Sequence, residues 1–420
     1  MILKKENSWW FIPVLAWCIY ITAYLGRINL SITIMSLEHE LGFSKTRLGF
    51  LASGFFMAYA SGQIINGILG DRLPLRTFIT TGLLVAALSN IFFSLTRSFP
   101  LLVIFWSANG YFQSMLWGPL SRAISEAVPQ DKHFKAMFLM STSPVIGHFL
   151  AYVLAGWLSV SFGWNYAFLV PGILLLASAV MWYWGSTPRT GTQSRDNLTR
   201  KPQISFSFKE LGHFIYKSKL YSIIMLGVLI GLVKEGLTLW SPSMLSELYF
   251  KDITKMLFVI SLMPLANFGF VISGGILNRK FHSNEKPVIL ILLSCAIVSA
   301  LLVWLLRSSG EARNIIFYFS LMASLYAANN QMTSFIPLHY KKEGRVSAAA
   351  GIIDCSFYLG AAAAGPLIGM AAENFGWNGI FGGILIISTA AALIPGVTIL
   401  RTYFNTTSVL PKPPASGLEK

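Results

Sequence analysis

The sequence predicts an all-α membrane protein of twelve transmembrane helices, arranged as two pseudo-symmetric six-helix bundles with both termini in the cytoplasm. Three observations carry this. The 420 residues are 54% apolar and only 12% charged, with a mean hydropathy of +0.61, whereas a soluble chain of this length must cover its surface largely with Lys, Glu, Asp and Arg. Twelve stretches reach the roughly 20 mostly apolar residues that a bilayer crossing needs. Two sequence landmarks recur in the same order, displaced by 208 and 213 positions.

Span 1, residues 11–35, is too long for a cleavable signal and lacks a small-residue cleavage site. Arg27 interrupts it within Tyr24-Leu-Gly-Arg27-Ile-Asn29-Leu-Ser31. Span 2, 47–69, carries Tyr59 and Gln63 and runs into Gly67-Ile-Leu-Gly-Asp71-Arg72. Span 3 is 77–96. Span 4, 99–124, holds Asn109, Gln113 and Trp117 beside Gly110, Gly118 and Pro119, the composition of a kinked, closely packed helix. Spans 5 and 6, 135–159 and 164–184, flank Phe162-Gly-Trp-Asn165, and span 5 contains Pro144, Gly147 and His148.

From Gly185 to about Lys219 come Pro188, Gly191, Pro202 and seven basic residues. This reads as a polar linker, 185–218, too short for a folded domain. It separates an N-terminal bundle, 1–184, from a C-terminal bundle, 219–403, with a cytoplasmic tail at 404–420. Span 7 is 219–245 and carries Lys234, Glu235, Trp240 and Pro242. Span 8, 254–277, ends in Gly275-Ile-Leu-Asn-Arg279, the second copy of the span 2 landmark. Spans 9 and 10, 286–306 and 314–338, are followed by spans 11 and 12, 346–370 and 377–400, which flank Phe375-Gly-Trp-Asn378, the second copy of the other landmark.

The net charge is +15, but its distribution argues against nucleic-acid binding. With the amino terminus inside, 23 of the 32 Lys and Arg fall in cytoplasmic segments and seven in outer ones. That is the positive-inside rule, so the excess charge sets topology and meets anionic lipid heads. Cys18, Cys295 and Cys355 lie inside spans with no close pair, which suggests neither a disulfide framework nor a metal site. No nucleophile–base pair, metal-ligand cluster or nucleotide-binding loop is visible, so the chain reads as neither an enzyme nor an ATP-driven pump, and as needing no cofactor.

The two remaining cations are Arg27 and Lys234, 207 positions apart, which nearly equals the repeat shift. They are expected to project from matching positions into one central space. Two cations facing one water-filled cavity repel unless an anion lies between them, so the arrangement selects an anionic ligand. The competing reading pairs Lys234 with Glu235, against which stands the roughly 100° between adjacent helical side chains. Asp354, in span 11, is expected to neutralise Lys234, accept a transported proton or cap local backbone. His148 reads either as a ligand group or as a satisfied structural residue. Tyr24, Asn29, Tyr59, Gln63, Gln113, Trp117, Trp240, Asn330 and Tyr358 complete the expected cavity, because polar groups in a span need partners from a solvated cavity or a neighbouring helix.

Two six-helix halves related by an axis along the membrane normal resemble the major facilitator superfamily. Gly67-Ile-Leu-Gly-Asp71-Arg72-Leu-Pro-Leu-Arg76 is similar to that superfamily's loop between helices 2 and 3, which implies that Asp71, Arg72, Arg76 and Arg122 gate the cytoplasmic side; the alternative is that they are topogenic charges. Asn109-Gly-Tyr-Phe-Gln113-Ser-Met-Leu-Trp117-Gly-Pro119 and Lys234-Glu-Gly-Leu-Thr-Leu-Trp240-Ser-Pro242 resemble the organophosphate:phosphate antiporter family, and Arg27 matches its helix-1 arginine. The chain departs from that family at Gln63, where a lysine is expected, at Pro144, where a histidine is expected, and at Lys234, where an arginine is expected. Tyr24 to Ser31 and the Gln63 segment also resemble the anion:cation symporter family.

The resemblance implies a monomeric, multi-pass secondary transporter of the inner membrane that exchanges a phosphate ester for inorganic phosphate by alternating access. A proton-coupled symporter of a sugar acid, carboxylate or sulfonate, using Asp354 or Glu235, is the second expectation. A transporter-like sensor of an extracellular anion is the third.

Overall fold

The computed structural model describes residues 8–186, 208–218, 220–281, 284–306, 310–340 and 345–407. Its helices are α1 (Phe11–Leu41), α2 (Lys45–Arg72), α3 (Leu75–Leu95), α4 (Phe99–Gln113), α5 (Trp117–Ala127), α6 (His133–Phe162), α7 (Tyr166–Gly185), α8 (Phe208–Lys217), α9 (Leu220–Leu248), α10 (Ile253–Lys280), α11 (Glu285–Leu305), α12 (Glu311–Ser334) and α13 (Val346–Thr407). Apolar runs of this length become helices because lipid offers no partner to backbone N–H and C=O groups. Nine stretches among the described residues are long and apolar enough to cross a membrane by length and composition. One of them contains two spans, since α13 breaks at Gly376 (φ 64°).

Gly376 and its counterpart explain the repeated tetrapeptide. Gly163, between α6 and α7, also has a positive φ, 103°. In both copies glycine supplies the left-handed conformation that turns the chain between the last two spans of a half. The tryptophan that follows is buried in each, Trp164 fully and Trp377 nearly so.

Span 4 is not one helix. After Gln113 the chain makes a tight turn, with Met115 N–H donating to Phe112 O and Leu116 N–H to Gln113 O, before α5 starts at Trp117. Most of the expected linker, 187–207, lies outside the described residues, as does the tail beyond 407. The described part, α8, is helical and docks on the second half: Phe214 is buried, its ring 5.3 Å from that of Tyr340, with the Arg345 guanidinium 4.9 Å from it.

Among the described residues, the halves meet mainly along α2–α13, α6–α10 and α1–α9. Along α2–α13, Thr46 N–H donates to Glu373 Oε1 (3.1 Å), Gly49 lies against Gly365, and Gln63 Nε2 donates to Asp354 Oδ2 (2.8 Å). A Cβ on Gly49 would stand 2.3 Å from the Gly365 carbonyl oxygen, so only glycine permits this approach. On α1–α9, Ser31 Oγ donates to Thr238 O and Leu239 O. On α6–α10, Gly156 faces Leu257. Lys45 at the start of α2 bridges Glu38 of α1 (2.8 Å) and Glu247 of α9 (3.1 Å). By the positive-inside assignment, these contacts run from the outer ends to the level of Gln63 and Asp354, an arrangement closed to the outside.

Candidate functional site

Arg27 is residue 17 of the 31 in α1 and Lys234 residue 15 of the 29 in α9, so both stand near mid-membrane. Arg27 Nε donates to Gln113 Oε1 (3.2 Å), and its guanidinium lies 4.4 Å from the Tyr59 ring centroid, 5.0 Å from Tyr24 and 5.8 Å from Phe55. Its Nη2 is buried without a hydrogen-bond partner among the described residues. Three aromatic faces stabilise the cation while leaving hydrogen-bond donors free. That suits a fork waiting for an oxyanion.

A buried amide network holds Arg27 in place. Asn90 Nδ2, Asn109 Nδ2 and Gln113 Nε2 all donate to the Gly26 carbonyl oxygen, at 3.3, 2.8 and 3.2 Å. Asn109 Oδ1 accepts from Gln113 Nε2 (3.0 Å) and Asn90 Nδ2 (3.2 Å), and Asn90 Oδ1 accepts from Asn29 Nδ2 (3.0 Å). Gln113 sits where α4 ends, so the break in span 4 delivers its amide to Arg27.

Lys234 has different surroundings. Its Nζ lies 2.6 Å from Glu235 Oε1 and donates to Asn329 Oδ1 at 2.9 Å, with the Tyr326 ring centroid 4.6 Å away. The Lys234–Glu235 pair thus forms despite the angle between adjacent helical positions. The expectation that they do not meet overlooked side-chain length: both stems are flexible enough to curl around the helix toward each other. Asp354 is not hydrogen-bonded to Lys234 but takes the Gln63 amide of the other half. The charged groups acting on Asp354 are Lys234, Glu235 and Arg27, and the same three act on His148. The Lys234–Glu235 pair and Arg27 are thus within electrostatic reach of both groups.

Around them, Tyr59 and Tyr358 meet across the halves with ring centroids 4.4 Å apart, and the His148 ring lies 4.4 Å from Tyr24 while its Nδ1 bonds Pro144 O (2.9 Å). Trp117 packs against Tyr20 (4.9 Å), and Asn330 is half-buried beside Asn329. Two expected residues point elsewhere. Asn29 is fully buried, with Nδ2 on Asn90 and Ala167 O; two residues from Arg27, it lies about 200° around the helix. Trp240 is also fully buried, its indole N–H on Gly365 O (3.1 Å), and belongs to the outer closure.

Among the expected gate residues, Arg122 bonds Gly70 O (2.8 Å) and Glu126 (2.7 Å), and Arg76 bonds Tyr183 O (2.7 Å). Both meet carbonyls near helix C-termini within the first half, where a cation is favoured. Arg72 is exposed at the end of α2, and the Asp71 side chain lies outside the described residues.

Asn90, Tyr326 and Phe55 were not among the expected site residues. Asn90 had a usable signal as an amide within apolar span 3. A separate cavity of about 300 Å³ between α2, α3 and α4 is lined by Leu69, Leu73, Phe78, Phe112 and Met115 among others. None of Arg27, Lys234, Glu235 or Asp354 lines it, so it is not the anion site.

A family model described as Major Facilitator Superfamily matches residues 16–353. A protein named "Probable hexose phosphate transport protein" from Chlamydia trachomatis is 26% identical, over 96% of this chain and 93% of its own length. The glycerol-3-phosphate transporter of Bacillus subtilis is 25% identical, over 92% and 90%. The crystal structure of a bacterial homolog of the human lysosomal transporter Spinster, inward-facing and occupied, superposes with a TM-score of 0.73 at 16% identity, covering 94% of this chain and 97% of that one; at that identity the likeness is one of fold.

Proposed function

The chain belongs to the Major Facilitator Superfamily, a family of multi-pass membrane transporters rather than enzymes, and on that premise we propose that it exchanges a phosphate ester for inorganic phosphate by alternating access. The observation that carries the reading is Arg27: a buried guanidinium at mid-membrane, aimed by Gln113, whose Nη2 has no hydrogen-bond partner among the described residues. A phosphate group offers three acceptor oxygens and a charge of about −1.5 to −2 at neutral pH, enough to satisfy Arg27 bidentately with one oxygen left for Lys234. The named activities of the relatives, hexose phosphate and glycerol-3-phosphate transport, support the same substrate class.

In this reading the anion bridges Arg27 of α1 and Lys234 of α9 and draws the halves together around it. Binding energy gained on both sides offsets the loss of contacts as the halves rock. The empty carrier returns poorly, because enclosing the Arg27 guanidinium without an anion is costly, and that favours exchange over net flux. The cytoplasmic arginines, with Asp71, serve the closed-inside state, and the protein acts as a monomer.

Asp354 favours one second reading, proton-coupled symport, since it is a carboxylate within a span whose hydrogen-bond partner among the described residues is the neutral Gln63 amide. A thermal-shift screen of phosphate esters, inorganic phosphate and sugar acids at two pH values separates the two. Stabilisation by phosphate esters that persists at both pH values supports exchange. Stabilisation by sugar acids alone, only at the lower pH, overturns it.

A further inference from the structure

We propose that Glu235 is a resident anion that holds Lys234 while the carrier is empty, and that substrate binds by displacing it, which makes Glu235 the residue that sets the preference for a divalent phosphate group. The inference rests on the anion-exchange reading of the Arg27 and Lys234 site.

The two cations differ in what they leave open. Arg27 keeps a buried donor free, whereas Lys234 has its ammonium committed to Glu235 Oε1 at 2.6 Å and Asn329 Oδ1 at 2.9 Å. Lys234 is 7% exposed and Glu235 16%, so the carboxylate is the more open member of the pair, and it acts electrostatically on Asp354 and His148. An ammonium has three donors. Two are used by Glu235 and Asn329, and the 4.6 Å approach to the Tyr326 ring covers a further side. A substrate oxygen therefore reaches Lys234 by taking the place of Glu235.

Displacement imposes a selection. Glu235 is tethered next to Lys234, so its effective concentration is high and no free monovalent anion competes with it on equal terms. A monocarboxylate exchanges one unit charge for another and gains nothing at Lys234. A phosphate monoester brings nearly two charges and a second oxygen, and outbids the resident carboxylate. Once displaced, Glu235 has its partly open side on which to meet water, and Asn329 stays with the ammonium. The free carboxylate then re-pairs with Lys234 as the substrate leaves, which assists release.

The test is a double-mutant cycle on the detergent-purified full chain, with inorganic phosphate as the probe and calorimetry as the readout. Glu235→Gln removes the resident charge at nearly constant shape, and the dissociation constant for phosphate is expected to fall by about tenfold, the scale of one charge-assisted hydrogen bond. In a Lys234→Gln background the same substitution is expected to change nothing. Gluconate, a monocarboxylate, is expected to gain affinity in Glu235→Gln as well. Unchanged or weaker phosphate binding in Glu235→Gln, or the same gain in the Lys234→Gln background, overturns the inference while leaving the anion site standing if the wild type binds. If neither wild type nor variant binds phosphate or gluconate, both readings fall together. Glu235→Ala is the second variant; loss of folding in both would mark Glu235 as a purely structural partner and also overturn the inference.

Discussion

Arg27 and Lys234 occupy matching places in the two halves, and the chemistry around them does not match. On the first-half side, a guanidinium is caged by Tyr24, Phe55 and Tyr59, aimed by Gln113 and left with a free donor. On the second-half side, an ammonium is already neutralised by Glu235. Duplication sets position, whereas the neighbours set what the position does. In the proposed mechanism one half presents a standing anion receptor and the other a receptor under competition, which would give the first contact with substrate to α1 and the exchange step to α9.

The comparison can be broken most sharply at Arg27. Arg27→Ala is expected to lower phosphate affinity by at least about a hundredfold, the equivalent of roughly 3 kcal/mol, by removing a charged bidentate contact, with little change in thermal stability because Gln113 retains Asn109 and Gly26. Arg27→Lys, which keeps the charge and loses the fork, is expected to recover only part of that loss. Titration calorimetry with a melting curve on each variant reads both quantities.

Lys234→Ala is expected to behave differently. It removes the second anion contact and also strands Glu235, so it should cost stability as well as affinity, by about 3 kcal/mol for the broken pair. Lys234→Ala with Glu235→Ala is expected to restore the melting temperature without restoring binding. Equal stability losses at Arg27 and Lys234 would erase the distinction between the halves.

Gln113→Leu tests positioning rather than charge. It is expected to weaken phosphate binding by about tenfold, and Gln113→Glu is expected to weaken it further by occupying the guanidinium with a second internal carboxylate. The smallest effects belong to the outer closure. Gly365→Leu would press a side chain into the Gly49 carbonyl, 2.4 Å from the new Cβ, and is expected to shift the population toward an outward-open form. Lys45→Ala, which breaks partly exposed pairs with Glu38 and Glu247, is expected to shift it by less than about 1 kcal/mol. Spin-label distances across the outer ends of α2 and α13 measure both.

The spans and their duplication were legible because lipid imposes length and apolarity, and because Phe162-Gly-Trp-Asn165 and Phe375-Gly-Trp-Asn378 do one job, a glycine-enabled turn. Arg27 and Lys234 were legible because a charge in a span is costly enough to need a reason. Facing was not. Helices that are apolar nearly all round carry little amphipathic signal, so Asn29 and Trp240 read as cavity residues when they look into neighbouring helices. The Lys234–Glu235 pair was hidden for another reason: helical spacing constrains where Cβ atoms point, and long flexible stems reach beyond that. The break after Gln113, which sets the geometry of Arg27, was foreshadowed only by the nearby Gly118 and Pro119.

The central claim is that an anion bridging Arg27 and Lys234 is carried across in exchange for another. Counterflow measures it directly: proteoliposomes loaded with unlabelled inorganic phosphate are diluted into labelled phosphate, with and without an external phosphate ester. Saturable uptake by the wild type, inhibited by the ester and absent in Arg27→Ala, is the result this account expects. Phosphate uptake by Arg27→Ala at the wild-type rate, or no phosphate exchange by the wild type, would contradict it.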